Sequence, residues 1–302
     1  MKMTSRHCPV CSSEDQSNVF IESNVDPAKL DAFAFASRKL PEYMHHRLIA
    51  CPACDVLYAS PLPVREDLAR AYEEAAFDSG AEAGYAAKTY ARFLPEICRQ
   101  IPDRSTALDI GTGDGAFLQE LLAAKFDRVV GVEPSSAPIA AAAPEIRPFI
   151  WQGLFQPADF KSGEFSLITC FQTMEHVDDP MALCRGAMQL LKPGGALFLI
   201  GHNRRALSAK IMGRRSPIFD IEHLQLFSKR SAREMMHRAG FKNVRVTSFV
   251  NRYPIHYWMK LSPIPMILKR AMIRGAKAIR IGYLPIPMPA GNMAIIGFRP
   301  LS

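Results

Sequence analysis

Two features that would place a chain in a membrane or outside the cell are missing from these 302 residues. There is no run of about 18 apolar residues, and no basic opening followed by an apolar segment, so neither a spanning helix nor a secretion signal is expected. The reading that follows is a soluble cytoplasmic protein, and an apolar content of 48% supports a packed core instead of disorder. The third scarcity is local. Of the chain's 37 Lys and Arg and 29 Asp and Glu, residues 203–302 hold 19 and 3, and residues 1–202 hold 18 and 26. A basic third of this kind suits an anionic partner, whether a phosphate-bearing substrate, a lipid surface or nucleic acid; the alternative is a solvated face with no partner.

Disulfide chemistry also lacks support, since nothing suggests export. Four of the seven cysteines instead form two matching pairs, Cys8 with Cys11 in "CPVC" and Cys51 with Cys54 in "CPAC", with 39 residues between the pairs. Two CxxC knuckles can complete the closed tetrahedral S₄ shell of a structural Zn²⁺, whereas a thioredoxin-like redox motif needs one pair beside a βαβ unit. Such a shell has no open position for a metal-bound water, so the zinc is expected to support folding and not chemistry. His7, His45 and His46 lie near these ligands in sequence and could replace one of them; the leading reading is that they are ordinary surface residues. Cys98, Cys170 and Cys184 are read as buried small apolar groups. "DVLYASPLP" closes the module, giving a boundary near residue 62, and a helical stretch follows from about Arg65 to Arg99, interrupted around Ser79 to Gly84.

From Ser105 short β-rich runs alternate with helix-like ones: "TALDI", "AFLQELLAAK", "RVVGVE", "SSAPIAAAA", "RPFIWQ", "FSLITCF", a helix over about Asp179 to Leu191, then "ALFLIGH". The strands are apolar almost throughout, as in a parallel sheet covered on both faces, so a doubly wound α/β domain is expected. Gly111, Gly113 and Gly115 then occupy the turn from the first strand into its helix, at the carboxyl end of the sheet, where open α/β folds bind ligands. Glycine permits positive φ and close approach, and the helix start presents free N–H groups. Gly111, Gly113 and Ala116 also match the G-x-G-x-x-G/A dinucleotide pattern, and Glu133 at the end of the next strand suits a ribose in either case.

Three further stretches discriminate. Asp109 closes the first strand as a carboxylate at the site, which repels a diphosphate and accepts a cation. "LKPGGALFLIGHN", Leu191 to Asn203, is a helix end, a Pro-Gly-Gly turn and a strand; "GEFSLITCFQTMEHVDDP" is a strand ending in a Glu-His pair before a helix. With the glycine turn, these make the chain resemble a class I S-adenosylmethionine-dependent methyltransferase carrying an N-terminal double-CxxC module. The likeness covers about residues 105–250, with the zinc module over 8–63. It implies a Rossmann-like, mostly parallel seven-stranded sheet preceded by a zinc-ribbon-like module. The implied division is 1–62 for the module, 63–104 for a helical linker or lid, and 105–302 for the methyltransferase domain.

The resemblance also implies roles. Gly111, Gly113 and Gly115 would let the backbone approach the methionine part of S-adenosylmethionine, with Asp109 organising the turn, and Glu133 would accept the ribose hydroxyls. The family often places an acid near the adenine amino group, but this chain has Trp151-Gln152-Gly153-Leu154; Gln152 as acceptor and Leu154 as apolar wall are the candidates there. Phe171 and Gln172 are expected beside the sulfonium, and Tyr85 in a lid. His176 is the candidate base for an oxygen acceptor, or else joins Glu175 in fastening the next helix; His223, in "DIEHLQLF", is a candidate for the acceptor pocket or a structural residue.

Between the expected sixth strand and a seventh, "NMAIIGF", lies an insertion at about 252–290 with a cationic amphipathic stretch, "MILKRAMIRGAKAIRIGYL". Three readings stand for it: a cover or dimer contact, a peripheral contact with anionic membrane, and RNA binding. For the whole chain the leading reading is methyl transfer to a small-molecule, glycan or lipid-linked acceptor on oxygen, or on carbon. RNA base methylation is the alternative, against which stands the absence of an Asn/Asp-Pro-Pro-Tyr/Phe motif at Phe171 to Met174. A non-catalytic cofactor-binding assembly protein is the third reading.

Overall fold

The computed structural model describes residues 2–26, 28, 43–77, 80–262 and 265–301. The chain starts with five short strands, β1 (Met3–Thr4), β2 (Val19–Ile21), β3 (Leu48–Ala50), β4 (Leu57–Ala59) and β5 (Leu62–Pro63). Helices α1 (Arg65–Glu73), α2 (Gly80–Ala91) and α3 (Leu94–Ile97) follow. The break between α1 and α2 therefore falls earlier than the sequence suggests, and Gly84 lies inside α2; Ser79 is outside the described residues. Packing of α2 against the helix after the glycine turn outweighs the weak helix propensity of one glycine.

The central unit runs β6 (Thr106–Ile110), α4 (Ala116–Ala123), β7 (Arg128–Glu133), α5 (Ser136–Ala141), β8 (Ile150–Gln152), β9 (Phe165–Phe171), α6 (Pro180–Leu190) and β10 (Leu191–His202). Then come α7 (Leu207–Met212), β11 (Gln225–Leu226), α8 (Lys229–Arg238), β12 (Lys242–Ser248), β13 (Asn251–Pro254), α9 (Ile255–Leu261), α10 (Met266–Ala278), β14 (Pro285–Met288) and β15 (Asn292–Phe298). Seven strands form one sheet in the order β12-β15-β10-β9-β6-β7-β8, in which β10 through β8 are parallel and β15 is antiparallel to both of its neighbours. This is the Rossmann-like, mostly parallel seven-stranded arrangement.

The strands read as apolar throughout because successive residues enter different cores. Leu108 and Ile110 of β6 join one cluster with Ile168, Leu197 and Ile295, while Ala107 joins the other with Leu167, Phe198 and Ile296. Pro148 shortens the third parallel strand, leaving a single 3₁₀ turn before β8. Ser135 caps α5 through Ala137 N–H, and Asp179 caps α6 through Ala182 N–H.

The N-terminal strands do not form a closed unit. The sheet β2-β3-β4 is completed by β11, from more than 160 residues further on, paired antiparallel to β4. Arg6 adds to this joint: it donates to the carbonyls of Ala59, Asp178 and Leu224 at 3.0, 2.8 and 2.6 Å and to Gln225 Oε1. His45 and His46 are buried at the same joint, correcting their reading as surface residues; His46 is enclosed between the module and the segment around Ile221. Cys170 and Cys184 are fully buried and Cys98 partly so. The insertion folds as a hairpin, β13 against β14, enclosing α9 and α10.

Candidate active site

Chain direction reverses between β6, which leads outward to β7 and β8, and β9, which starts the opposite half of the sheet. At this switch point, where open α/β sheets form a crevice, lies a cavity of about 1040 Å³. That is at the upper end of what a single small ligand occupies, and leaves room for two reactants.

The glycine turn forms its floor, and each glycine is there for a different reason. All three have positive φ, which side chains disfavour. Gly113 alone opens on empty space, with nothing within 4 Å of where a Cβ would project. A Cβ on Gly111 would lie 2.3 Å from Thr173 Oγ1, and one on Gly115 would lie 2.5 Å from Ile146 Cγ2. Gly115 is not on the cavity wall; it lets α4 start against the core. Of the three glycines expected to face a ligand, Gly111 and Gly113 line the cavity, with open space at Gly113, and Gly115 does not.

Two carboxylates hold the turn. Asp109 is buried and accepts from Thr112 Oγ1 at 2.8 Å and Thr169 Oγ1 at 2.6 Å. Burial pushes its carboxyl up to about 6, against the pull of those two hydroxyls. Glu133 takes Gly113 N–H on Oε2 at 2.9 Å and Ser135 N–H on Oε1 at 3.0 Å. Burial raises its carboxyl too, opposed by these two N–H donors. Each oxygen keeps acceptor capacity for a further hydroxyl.

Of the two residues expected beside adenine, Leu154 lines the cavity, whereas Gln152 is exposed and off its wall. Phe171 and Gln172 do line it, at the end of β9. Phe171 is fixed edge-on by Phe117, Phe198 and Tyr90, with centroids 4.6, 4.9 and 5.0 Å away. Gln172 sits at φ 52, a strained conformation for a residue with a side chain, and its Oε1 is buried with no partner among the described residues. A buried unpaired carbonyl oxygen on a cavity wall is a ready acceptor for a ligand N–H. Tyr85 is on α2 but packs into the core behind the cavity; Tyr90, five residues or about 140° further round the helix, faces it.

Opposite the turn, His176 and His223 come together with ring centroids 4.9 Å apart, both on the cavity wall. Sequence reasoning missed the groups around them. The Tyr72 hydroxyl is 3.1 Å from His176 Nδ1, and Glu222 Oε2 is 3.8 Å from the same nitrogen. His223 Nδ1 is 2.8 Å from the carbonyl of Ile218, which fixes its proton there and leaves Nε2 as the acceptor. Burial, then the nearby His202, lowers the His223 imidazole, so it stays neutral. Burial and the charges of Glu222 and Asp220 hold the Tyr72 phenol well above its usual range, so it remains a hydroxyl. Glu175 does not fasten the next helix, which Asp179 caps; it takes the N–H of His202. Glu222 was legible one position before His223; Tyr72, near the end of α1, gave no signal.

The four cysteines converge at the edge of the same core. Sγ of Cys8 and Cys54, and Sγ of Cys11 and Cys51, are each 3.5 Å apart, and all four sulfurs lie within 4.8 Å of one another. A tetrahedral ion with Zn–S near 2.3 Å needs sulfurs about 3.8 Å apart, so the donor set fits zinc.

A family model described as a methyltransferase domain matches residues 80–246, more than half of the chain. The chain is 34% identical over 119 residues to the ubiquinone biosynthesis O-methyltransferase of Pseudomonas paraeruginosa, covering 36% of this chain and 50% of that protein. It is 32% identical over 108 residues to the protein of the same name from Cronobacter sakazakii, covering 33% and 44%. The chain spans about half the length of these curated relatives. Among solved structures, a SAM-dependent methyltransferase from Thermotoga maritima superposes with a TM-score of 0.50 at 19% identity, over 73% of this chain and 92% of the other. That likeness concerns the fold.

Proposed function

The chain belongs to the methyltransferase domain family, and from that premise we propose that it transfers the methyl group of S-adenosylmethionine to a hydroxyl of a small-molecule or glycan acceptor. The observation that carries this reading is the placement of Tyr72, His176, Glu222 and His223 on the wall of the cavity whose floor is Gly113 and Glu133. When bound, the cofactor supplies an electrophilic methyl on a cationic sulfur. Gly113 gives it backbone access, Glu133 accepts its ribose hydroxyls, Leu154 provides an apolar wall for adenine, and Phe171 and Gln172 lie towards the sulfonium.

An oxygen acceptor must lose its proton as the methyl arrives, and an imidazole nitrogen of His176 is the group to take it. Tyr72 and Glu222 orient that ring, and the Glu222 carboxylate stabilises the imidazolium that forms, the role an acid plays behind a catalytic histidine. His223, neutral and with its free nitrogen on the same wall, is placed to accept a second acceptor hydroxyl, which favours a polyhydroxylated substrate. The O-methylation for which the Pseudomonas and Cronobacter relatives are named agrees with an oxygen acceptor. The Cys8, Cys11, Cys51 and Cys54 cluster is read as a structural zinc site that holds the N-terminal strands against the loop carrying Glu222 and His223.

The test is incubation with methyl-labelled cofactor and host extract, followed by separation of small-molecule, glycan, lipid and RNA fractions and analysis of the methylated atom. Label on oxygen in a glycan, lipid or small molecule is expected. His176→Ala should reduce kcat by about 10²–10⁴ with cofactor affinity unchanged. Label confined to RNA would move the chain to base methylation, and tight cofactor binding with no label in any fraction would make it a binding protein.

A further inference from the structure

Helix α10 is built the wrong way round for a helix that packs its apolar face inward. At 100° per residue, Ile267, Leu268, Ala271, Met272 and Ile279 fall within an arc of roughly 140°, and all five are exposed, Ile267 to 89% and Ile279 to 67%. Lys269, Ile273, Ala276 and Lys277, on the opposite side, are the half-buried ones. Arg270 and Arg274 flank the outward apolar stripe. The 3₁₀ turn that follows continues it with exposed Ile281, Tyr283 and Leu284.

The same pattern recurs across the cavity rim. On α7, Leu207 and Ile211 are 72% and 75% exposed and sit beside exposed Lys210, with Arg214 and Arg215 just beyond. The inner side of α7 supplies Ser208 and Met212 to the cavity wall, where they join Trp258 and Ser262 at α9 and Met288 of β14. Gly291, after β14, abuts α7 so closely that a Cβ would lie 2.8 Å from Ser208 Oγ. The outward apolar groups and the cations are therefore carried by α7, which lines one side of the cavity, and by α10, which packs against α9 of the same wall.

We propose that α7 and the α9–α10 insertion dock the protein on an anionic phospholipid surface, and that the acceptor is a lipid-linked amphiphile drawn into the cavity from that surface. The acceptor class deepens the function proposed above and rests on it; the docking does not. Apolar side chains standing out of a cationic helix suit the headgroup boundary, where the side chains enter the acyl region and Lys and Arg meet phosphate. No helix among the described residues is long and apolar enough to cross a membrane, so contact would be peripheral. Two other occupants fit less well. No Asp or Glu follows Glu234, while 11 Lys and Arg do, so a two-fold contact of this face with itself would bring cations together without acids to offset them. Nucleic acid would meet the basic residues but leave Ile267, Leu268 and Ile279 in water.

The experiment is flotation of the full chain with vesicles of phosphatidylglycerol and phosphatidylcholine, or of phosphatidylcholine alone, at low and high salt. Cofactor binding and sedimentation are measured on the same samples. Binding to anionic vesicles at least tenfold above neutral ones is expected, weakening with salt, and dropping at least tenfold in Ile267→Asp/Ile279→Asp and in Arg270→Glu/Arg274→Glu. Both variants should bind S-adenosylmethionine as the parent does, which shows that they fold. Equal binding to neutral vesicles, no binding, or binding untouched by both variants overturns the docking. A dimer dispersed by Ile267→Asp/Ile279→Asp with no vesicle binding overturns it in favour of self-association. Methyl label in soluble acceptors alone, with vesicle binding intact, would refute only the lipid-linked acceptor. Loss of cofactor binding in the parent would instead count against the methyl-transfer reading.

Discussion

Gly113 donates its backbone N–H to Glu133 Oε2 across 2.9 Å, so the carboxylate read as the ribose acceptor also shapes the turn beside it. Substitution at Glu133 should therefore act twice. Glu133→Ala is expected to weaken S-adenosylmethionine binding at least tenfold by titration calorimetry, and Glu133→Gln less, because its amide oxygen can still accept the Gly113 N–H. An unchanged dissociation constant in Glu133→Ala would remove this residue from the cofactor site.

The neighbouring glycines should separate binding from stability. Gly113→Arg fills the only open direction at the turn and is expected to abolish cofactor binding with a modest loss of melting temperature. Gly115→Ala drives a methyl into Ile146 at positive φ, away from the cavity, and should cost about 1–3 kcal/mol of stability while the folded fraction still binds. The opposite pattern, measured by thermal melts and calorimetry on both variants, would invert the assignment.

Cofactor affinity should depend on pH through Asp109. Burial pushes the Asp109 carboxyl up to about 6, above the ordinary 3.8 of an aspartate. As pH falls through about 6 the group takes up a proton and its negative charge is lost. Affinity for S-adenosylmethionine, with its cationic sulfonium, should fall in that window more than affinity for its demethylated product, a zwitterion without net charge. A ratio of the two dissociation constants that stays constant from pH 8 to 5 would count against this, and Asp109→Asn should flatten it.

Acid stability should carry the signature of His46. Burial, then His45 and Arg6, lower its imidazole to about 4 from an ordinary 6.5. Between those values the unfolded chain binds a proton that the native chain does not, so native stability should decline as pH drops from about 6.5 to 4, by up to about 3 kcal/mol. Urea midpoints of the parent across this range should fall more steeply than those of His46→Gln; equal slopes would refute the assignment.

Metal removal tests the cysteine cluster. One zinc per chain by elemental analysis is expected, and chelation or Cys54→Ser should lower the melting temperature and open the joint that Arg6 makes with Asp178 and Leu224. Because that joint adjoins the Glu222–His223 segment, activity should fall more than cofactor affinity. A chain that holds no metal and melts unchanged with chelator would leave the cysteines as packing groups.

Much of the central sheet was legible because strand, turn and helix are encoded by neighbours. The stretch "TALDIGTGDGAFLQELL" declares β6, its turn and α4 within seventeen residues, and "RVVGVE" ends on Glu133. The CxxC pairs were equally plain, since each knuckle is local. Gln152 and Tyr85 misled because nothing local distinguishes a residue at the end of a strand or on a helix from its neighbour turned towards the cavity. His45 and His46 were misread because their cover is tertiary: His46 meets the backbone of Ile221, and the His45 backbone N–H is taken by Asn24 Oδ1.

The sequence by itself determined the sheet, the glycine turn and the paired cysteines, all set by short-range periodicity and spacing. Only the tertiary structure decided that Tyr72 meets His176 across 104 residues and the Glu222 carbonyl across 150. It also decided which glycines face the cavity and that α10 turns its apolar arc to solvent. These are outcomes of which surfaces cover one another, and a side chain's environment depends on partners that its own stretch of sequence does not specify.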